Sequence, residues 1–162
     1  MDNQIVIDGV PNDGIVAWFL ALGLIFVIIF LVWALVAYLL TAFALYHMAK
    51  ADEREDAFFA FIPFFSTKTW GDLIGKKFPQ FMQPQSGWKL VGVYAACLII
   101  GWIPALNVVS SILLFVLGIY IIYLLFERYT TNAVLYTVLH IITCFIFLPI
   151  HLFVIRNNEP RY

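Results

Sequence analysis

Three side chains capable of acid–base or metal chemistry fall in one apolar run, VLYTVLHIITCFIFLPIHLFVIR from Val134 to Arg156: His140, Cys144 and His151. At about 100° per residue they lie within about 40° of one another on a helical wheel, flanked by Thr137 and Thr143, so a continuous helix gathers them into one polar stripe. Ionisable groups inside an apolar segment face a bundle interior or a watery path, which makes the stripe a candidate conduit for protons or solutes. Metal binding fits less well. On one helix His140 and His151 are separated by about 16 Å of rise, and His140 with Cys144 supplies only two ligands at i and i+4. A bis-imidazole haem would have only His47 to recruit from elsewhere, near or beyond the end of the first span. A Cys–His nucleophile needs a polarising partner and an oxyanion pocket, and the run provides neither. The plainest role is structural, with the imidazoles hydrogen-bonding across helices and Cys144 packing as a small apolar group. No catalytic residue, cofactor or metal is assigned and a non-enzyme is expected, since the chain also lacks a phosphate loop, Gly-x-Ser-x-Gly and His-Glu-x-x-His.

The elements that carry these residues are set by composition. The chain has 162 residues, of which 64% are hydrophobic and 12% charged, with a mean hydropathy of +0.95. That is the composition of a membrane protein. Its net charge of −1 argues against nucleic-acid binding, which needs a clustered basic excess. Cys97 and Cys144 both lie inside apolar runs, where a secreted-type disulfide framework is not expected. The opening MDNQIVIDGVPNDG is acidic and lacks the basic start of a cleavable signal, so the apolar run after it reads as a retained anchor.

Three uncharged stretches, Gly14 to Ala49, Leu90 to Phe126 and Tyr129 to Ile155, each exceed the roughly 20 residues that cross a bilayer. The middle one is interrupted by GWIPALN. Gly101, Pro104 and Asn107 form a stop-and-turn cluster, which predicts a hairpin of two helices; one tilted helix kinked at Pro104 is the alternative. The expected fold is therefore all-α, a single membrane domain over 1–162 with four transmembrane helices. Residues 1–14 form an external N-terminal segment, 15–49 the first span and its extension, 88–103, 108–126 and 133–155 the other spans, and 156–162 an external tail. Asn132 is placed to cap the last helix, and Pro149 lies within it. Gly92 with Ala96, and Ser111 with Gly118, read as small-residue faces for close helix packing. Lys50, Arg54, Lys68, Lys76, Lys77, Lys89 and Arg128 all fall on the loop side, against Arg156 and Arg161 opposite. Positive-inside bias then puts residues 50–87 in the cytoplasm and both termini outside the cell membrane.

That loop changes character along its length. Asp52 to Asp56 would suit the positive end of a helix starting near Ala57, and AFFAFIPFF is apolar all round but too short to span. From Ser66 to Lys77, charges at Lys68, Asp72 and Lys76 alternate with Trp70, Leu73 and Ile74, an amphipathic interfacial helix. In one reading it lies on lipid, with Lys68, Trp70, Lys76, Lys77 and Lys89 meeting an anionic inner leaflet. In the other it packs over the ends of the bundle. Gly71 and Gly75 match GxxxG, read here as a chance match outside a spanning helix.

ALYHMAKADEREDAFFAFIPFFSTKTWGDLIGKKF resembles a pattern in small multi-spanning membrane proteins of Gram-positive bacteria: Leu45, Tyr46, Ala49 and Lys50 ending a helix, then Ala60 and Pro63, then Gly71 and Gly75. The resemblance implies topology and an interfacial helix, with no activity attached. The acidic run departs from the more basic stretch expected there. The functional expectation is a non-catalytic accessory, assembly or immunity-type protein that contacts another membrane protein through its helices. A small homo-oligomeric transporter or channel lined by the histidine stripe is the alternative.

Overall fold

A computed structural model describes residues 12–162. Most of the N-terminal segment 1–14 thus lies outside the described residues. Regular structure among the described residues is entirely helical: α1 Asn12–Ala51, α2 Ser66–Ile74, α3 Ser86–Ile100, α4 Asn107–Tyr129, α5 Ala133–Ile142 and α6 Leu148–Ile155, with short 3₁₀ turns at Ala57–Phe61 and Gly75–Lys77. The described residues fall into two compact units, one up to Val36 and the other Ala37–Tyr162.

The first unit contains the N-terminal part of α1. Its large apolar side chains, among them Trp18, Phe26 and Phe30, are exposed all round, as in a helix whose solvent is not water. Two helices are long and apolar enough to cross a membrane, Val16–Ala51 and Asn107–Tyr129.

The second unit is organised around the last turns of α1. Ala42, Ala44, Leu45, Met48 and Ala49 are buried, the alanines admitting close neighbours and Leu45 and Met48 filling the core. These neighbours include Phe61, whose ring sits 5.1 Å from Phe43 and whose carbonyl accepts a hydrogen bond from Tyr38. Leu73, Ile74, Leu90, Leu125, Phe126 and Leu152 complete the core. α1 ends in a Schellman turn: Glu53 N–H bonds Lys50 O at 3.0 Å and Arg54 N–H bonds Ala49 O at 3.0 Å, with Glu53 at φ 56°. The acidic stretch was expected to serve a following helix; it closes the preceding one, and Asp56 makes no side-chain cap to the 3₁₀ turn after it.

α2 is inside the unit, not spread on a surface. A Cβ on Gly71 would come within 2.8 Å of Gly87 Cα, and one on Gly75 within 2.1 Å of Ser86 Oγ. Gly71 therefore lets α2 touch the backbone of α3, and Gly75, one turn on, makes room for the Ser86 side chain. Chance, the reading from sequence, is corrected by this contact. The small pair read on α3 fares the other way, since Gly92 has open space where a Cβ would be.

α3 and α4 form the expected hairpin. Asn107 Nδ2 donates to Gly101 O at 2.8 Å, closing the turn, and buried Ser110 donates from Oγ to Cys97 O at 2.5 Å.

The last predicted span is corrected. Residues 133–155 are not one helix: α5 stops in a second Schellman turn, Cys144 N–H to Ile141 O at 3.2 Å and Phe145 N–H to His140 O at 2.8 Å. Cys144 and Phe145 take φ of 48° and 60°. Pro149 explains the break, because its ring has no N–H for the carbonyl four residues back and collides with it, yet suits the first turn of a new helix. α6 begins one residue earlier, and Asn132 makes no side-chain cap to α5. At about 15 Å and 12 Å, α5 and α6 are each too short to cross a bilayer.

Because the chain turns back, its tail returns to the end of α4. Arg161 N–H bonds Arg128 O at 2.8 Å, Asn158 Nδ2 bonds Tyr129 O at 2.9 Å, and Tyr162 Oη bonds Leu124 O at 3.0 Å. The first two donors satisfy carbonyls that the end of a helix leaves free, and the third adds a second bond to a carbonyl one turn further in. Segment 156–162 thus sits at the same end of this unit as Asp52, which binds Arg128, and not opposite the loop.

Candidate functional site

Two polar clusters lie in the second unit. The first is the histidine pair, which the Cys144 turn assembles by folding α6 back along α5. His140 Nε2 and His151 Nδ1 are 2.8 Å apart, so the separation expected along a single helix does not exist. Both rings stack on Phe126, at 5.3 Å and 4.8 Å between centroids, and Tyr136 meets His151 edge-on at 4.5 Å. Cys144 does not join them; it is exposed at the turn.

The proton in this bond can be assigned. His140 Nδ1 is buried without a partner. If His151 donated, that nitrogen would carry an orphaned N–H, whereas if His140 donates from Nε2 it holds only an unpaired lone pair, which costs less. His140 Nε2–H therefore donates to His151 Nδ1. An imidazole that accepts must be neutral, so the pair holds at most one extra proton.

The second cluster is ionic and went unrecognised in the sequence. Arg128, 2% exposed, binds both Asp52 oxygens through Nη2, at 2.5 and 2.7 Å, and donates from Nη1 to Leu73 O. Lys68, 5% exposed, donates to Asp56 and, at 2.6 Å, to Asp72 Oδ2. Asp72 Oδ1 accepts Gly87 N–H at 3.0 Å and so caps α3 from another helix. Burial alone would lower the Lys68 pKa, but the hydrogen bonds and charges of Asp56 and Asp72 outweigh it and raise it above the ordinary lysine value. The Lys68 ammonium also lies 5.5 Å from the Phe59 ring and 5.6 Å from Trp88.

Of the residues assigned to the lipid surface, Lys68 is thus corrected: it is an internal ion-pair partner. Trp70 is half-buried against the core. Lys76 and Lys77 are exposed; Lys77 reaches Glu127 at 3.4 Å and covers the Tyr162 ring at 4.9 Å. Lys89 donates to Phe81 O at 2.5 Å. A sequence signal for the ionic cluster existed. Four acids between Asp52 and Asp56, against one arginine, leave carboxylates in search of cations, and Arg128 is the one cation of its helix, beside Glu127 at the end of a long uncharged run.

Chemically, these clusters hold charge and hydrogen bonds in place. Among the described residues no three His, Cys, Asp or Glu side chains converge as a metal site. No family model, curated protein or solved structure matches the chain.

Proposed function

We propose that this chain is a non-catalytic membrane accessory protein of the assembly or immunity kind, acting through helix contacts with another membrane protein or with copies of itself. One observation carries the reading: the buried charges and the histidines are engaged with one another, so the polar interior serves the fold. The largest surface left to offer is apolar and helical, above all Val16 to Val36. Photo-crosslinkers at Phe26 and Phe30 in intact cells should each yield a discrete adduct, identified by mass spectrometry. A chain recovered without any reproducible adduct or co-purifying protein sinks the proposal.

The proposed topology has three crossings, by α1, by α3, which at about 22 Å needs a locally thinned bilayer, and by α4, with α5 and α6 as a re-entrant hairpin. All nine Lys and Arg residues lie from Lys50 onward. With the tail folded back they share one end of the second unit, a fuller asymmetry than four spans would give and one that favours that end inside the cell. A cysteine at residue 76 labelled from outside intact cells would reverse this orientation.

The competing reading is a homo-oligomeric transporter or channel, favoured by the hairpin and its paired histidines. Its test is flux in liposomes after replacing both His140 and His151 by Phe. Unchanged flux removes the pair as a conduit.

A further inference from the structure

Two cavities lie along the seam between α4 and α5, one of about 290 Å³ and one of about 650 Å³, and they share Tyr123, Val134 and Val138. They form one groove. Its inner reach is lined from α4 by Val116, Ile119, Tyr120 and Tyr123, at the i, i+3, i+4 and i+7 spacing that keeps residues on one helix face. The α5 wall is Val134, Thr137 and Val138. Thr137 adds no free polarity, since its hydroxyl donates to Ala133 O at 2.8 Å. This reach is therefore apolar, and Val116, Val134 and Val138 are exposed along it, so hydrocarbon can enter from the side.

The outer reach differs in kind. Past Tyr123 it is lined by Glu127, Thr131, Asn132 and Arg161, whose two charges are of opposite sign and each have capacity unused. Among the described residues Glu127 pairs only with Lys77, at 3.4 Å through Oε1, and both side chains are partly exposed, so the pair is weak. Arg161 forms no ion pair among the described residues. It is nevertheless pinned, its backbone N–H on Arg128 O at 2.8 Å and its Nη1 on Thr130 O at 3.0 Å, which leaves Nη2 and Nε for a ligand. A hydrocarbon trough that ends at a fixed cation and a carboxylate matches one class of molecule, a phospholipid whose headgroup carries a phosphate and a primary amine. The guanidinium pairs with the phosphate, and the ammonium donates N–H bonds to Glu127. A purely anionic headgroup would set its phosphate near Glu127 with no cation of its own, and a quaternary headgroup has no N–H to donate. Tyr123 sits where the two reaches join, as aromatic side chains do at a membrane boundary.

We propose that the α4–α5 groove holds one molecule of an amine-bearing zwitterionic phospholipid, its acyl chain along Tyr120 and Val138 and its headgroup between Glu127 and Arg161. No protein partner is required, so the proposal stands or falls apart from the partner reading above. The whole chain is reconstituted in equal parts phosphatidylethanolamine, phosphatidylcholine and phosphatidylglycerol and released into non-ionic detergent, and its retained lipid is counted by native mass spectrometry. The expected result is one phosphatidylethanolamine per chain, enriched about tenfold over each of the other two. Val138→Trp fills the groove from an exposed position and should cut retention about tenfold, with the thermal unfolding midpoint unchanged. Glu127→Gln leaves the trough open and should keep a lipid bound while bringing the three headgroups to parity. Lipid retained in bilayer proportions by the wild type, retention unaltered by Val138→Trp, a preference unaltered by Glu127→Gln, or a second copy of the chain in place of the lipid overturns the proposal.

Discussion

Arg128, Lys68 and His140 are 2%, 5% and 1% exposed, yet the two regions they occupy shelter polarity at very different electrostatic cost. Removing an ion from water costs several kcal/mol even after the protein relaxes, so Arg128 and Lys68 are tolerable only while Asp52, Asp56 and Asp72 remain. The imidazoles can both be neutral. They need a hydrogen bond and a flat apolar neighbour, which His151 and Phe126 supply. Partner loss should therefore be severe in the first region and mild in the second.

The largest effect is expected from Asp52→Asn, which keeps the shape and leaves Arg128 without its counter-ion. Thermal or denaturant unfolding in detergent should show a loss of about 3–5 kcal/mol. Replacing both partners, Asp52→Leu with Arg128→Met, should cost much less than either single change, since no charge is then stranded. If Asp52→Asn unfolds with the wild-type midpoint, the contrast between the regions is gone. Next comes the contact that brings Lys68 and Asp72 to the start of α3. Gly71→Ala should cost about 1–3 kcal/mol, because the new Cβ meets Gly87 backbone, which cannot swing aside. Gly92→Ala on α3 is the matched control and should be neutral or slightly stabilising, as open space surrounds it and alanine favours helix.

These two regions also differed in how far they could be read from sequence. Patterns confined to one helix were legible: the apolar length of α1, the Gly101 to Asn107 turn, and the interfacial amphipathic stretch, for which bundle packing was one of the two readings. What failed depended on contacts across the chain. Lys68 looks solvent-facing when only its own helix is considered, and its partner Asp56 lies 12 residues back, beyond any helical period. Arg128 and Asp52 are 76 residues apart. Pro149 reads locally as a proline inside one continuous helix, because nothing local announces that Cys144, a residue without glycine's freedom, adopts a left-handed conformation. That one turn decides whether the histidines meet and on which side the tail emerges.

A smaller effect tests the histidine side of the contrast. His140→Phe keeps the stack on Phe126 and removes the donor, leaving His151 Nδ1 unpaired, and should cost about 1 kcal/mol. His140→Phe with His151→Phe should recover part of that loss, giving a measurable coupling in a double-mutant cycle. A loss from His140→Phe as large as that from Asp52→Asn would mean that the pair is charged and the regions are alike.

Alkaline pH gives the finest discrimination, since it acts on the ionic end and its tail. Lys68 has a folded pKa above its unfolded value, so its contribution is fully present below about pH 10.4 and is lost as pH rises through the folded pKa. Tyr162 is pushed from 10.0 up to about 12, first by burial and then by the Glu127 carboxylate. Between these two values the folded chain keeps a phenolic proton that the unfolded chain has released. More protons bound in the folded state make stability fall as pH rises. The unfolding midpoint should thus decline from about pH 10, and Tyr162→Phe should make the decline shallower by the share of that one phenol while leaving the lysine share. A slope identical in wild type and Tyr162→Phe would show that the phenol is not buried beside Glu127, and the return of the tail to the end of α4 would lose one of its three anchors.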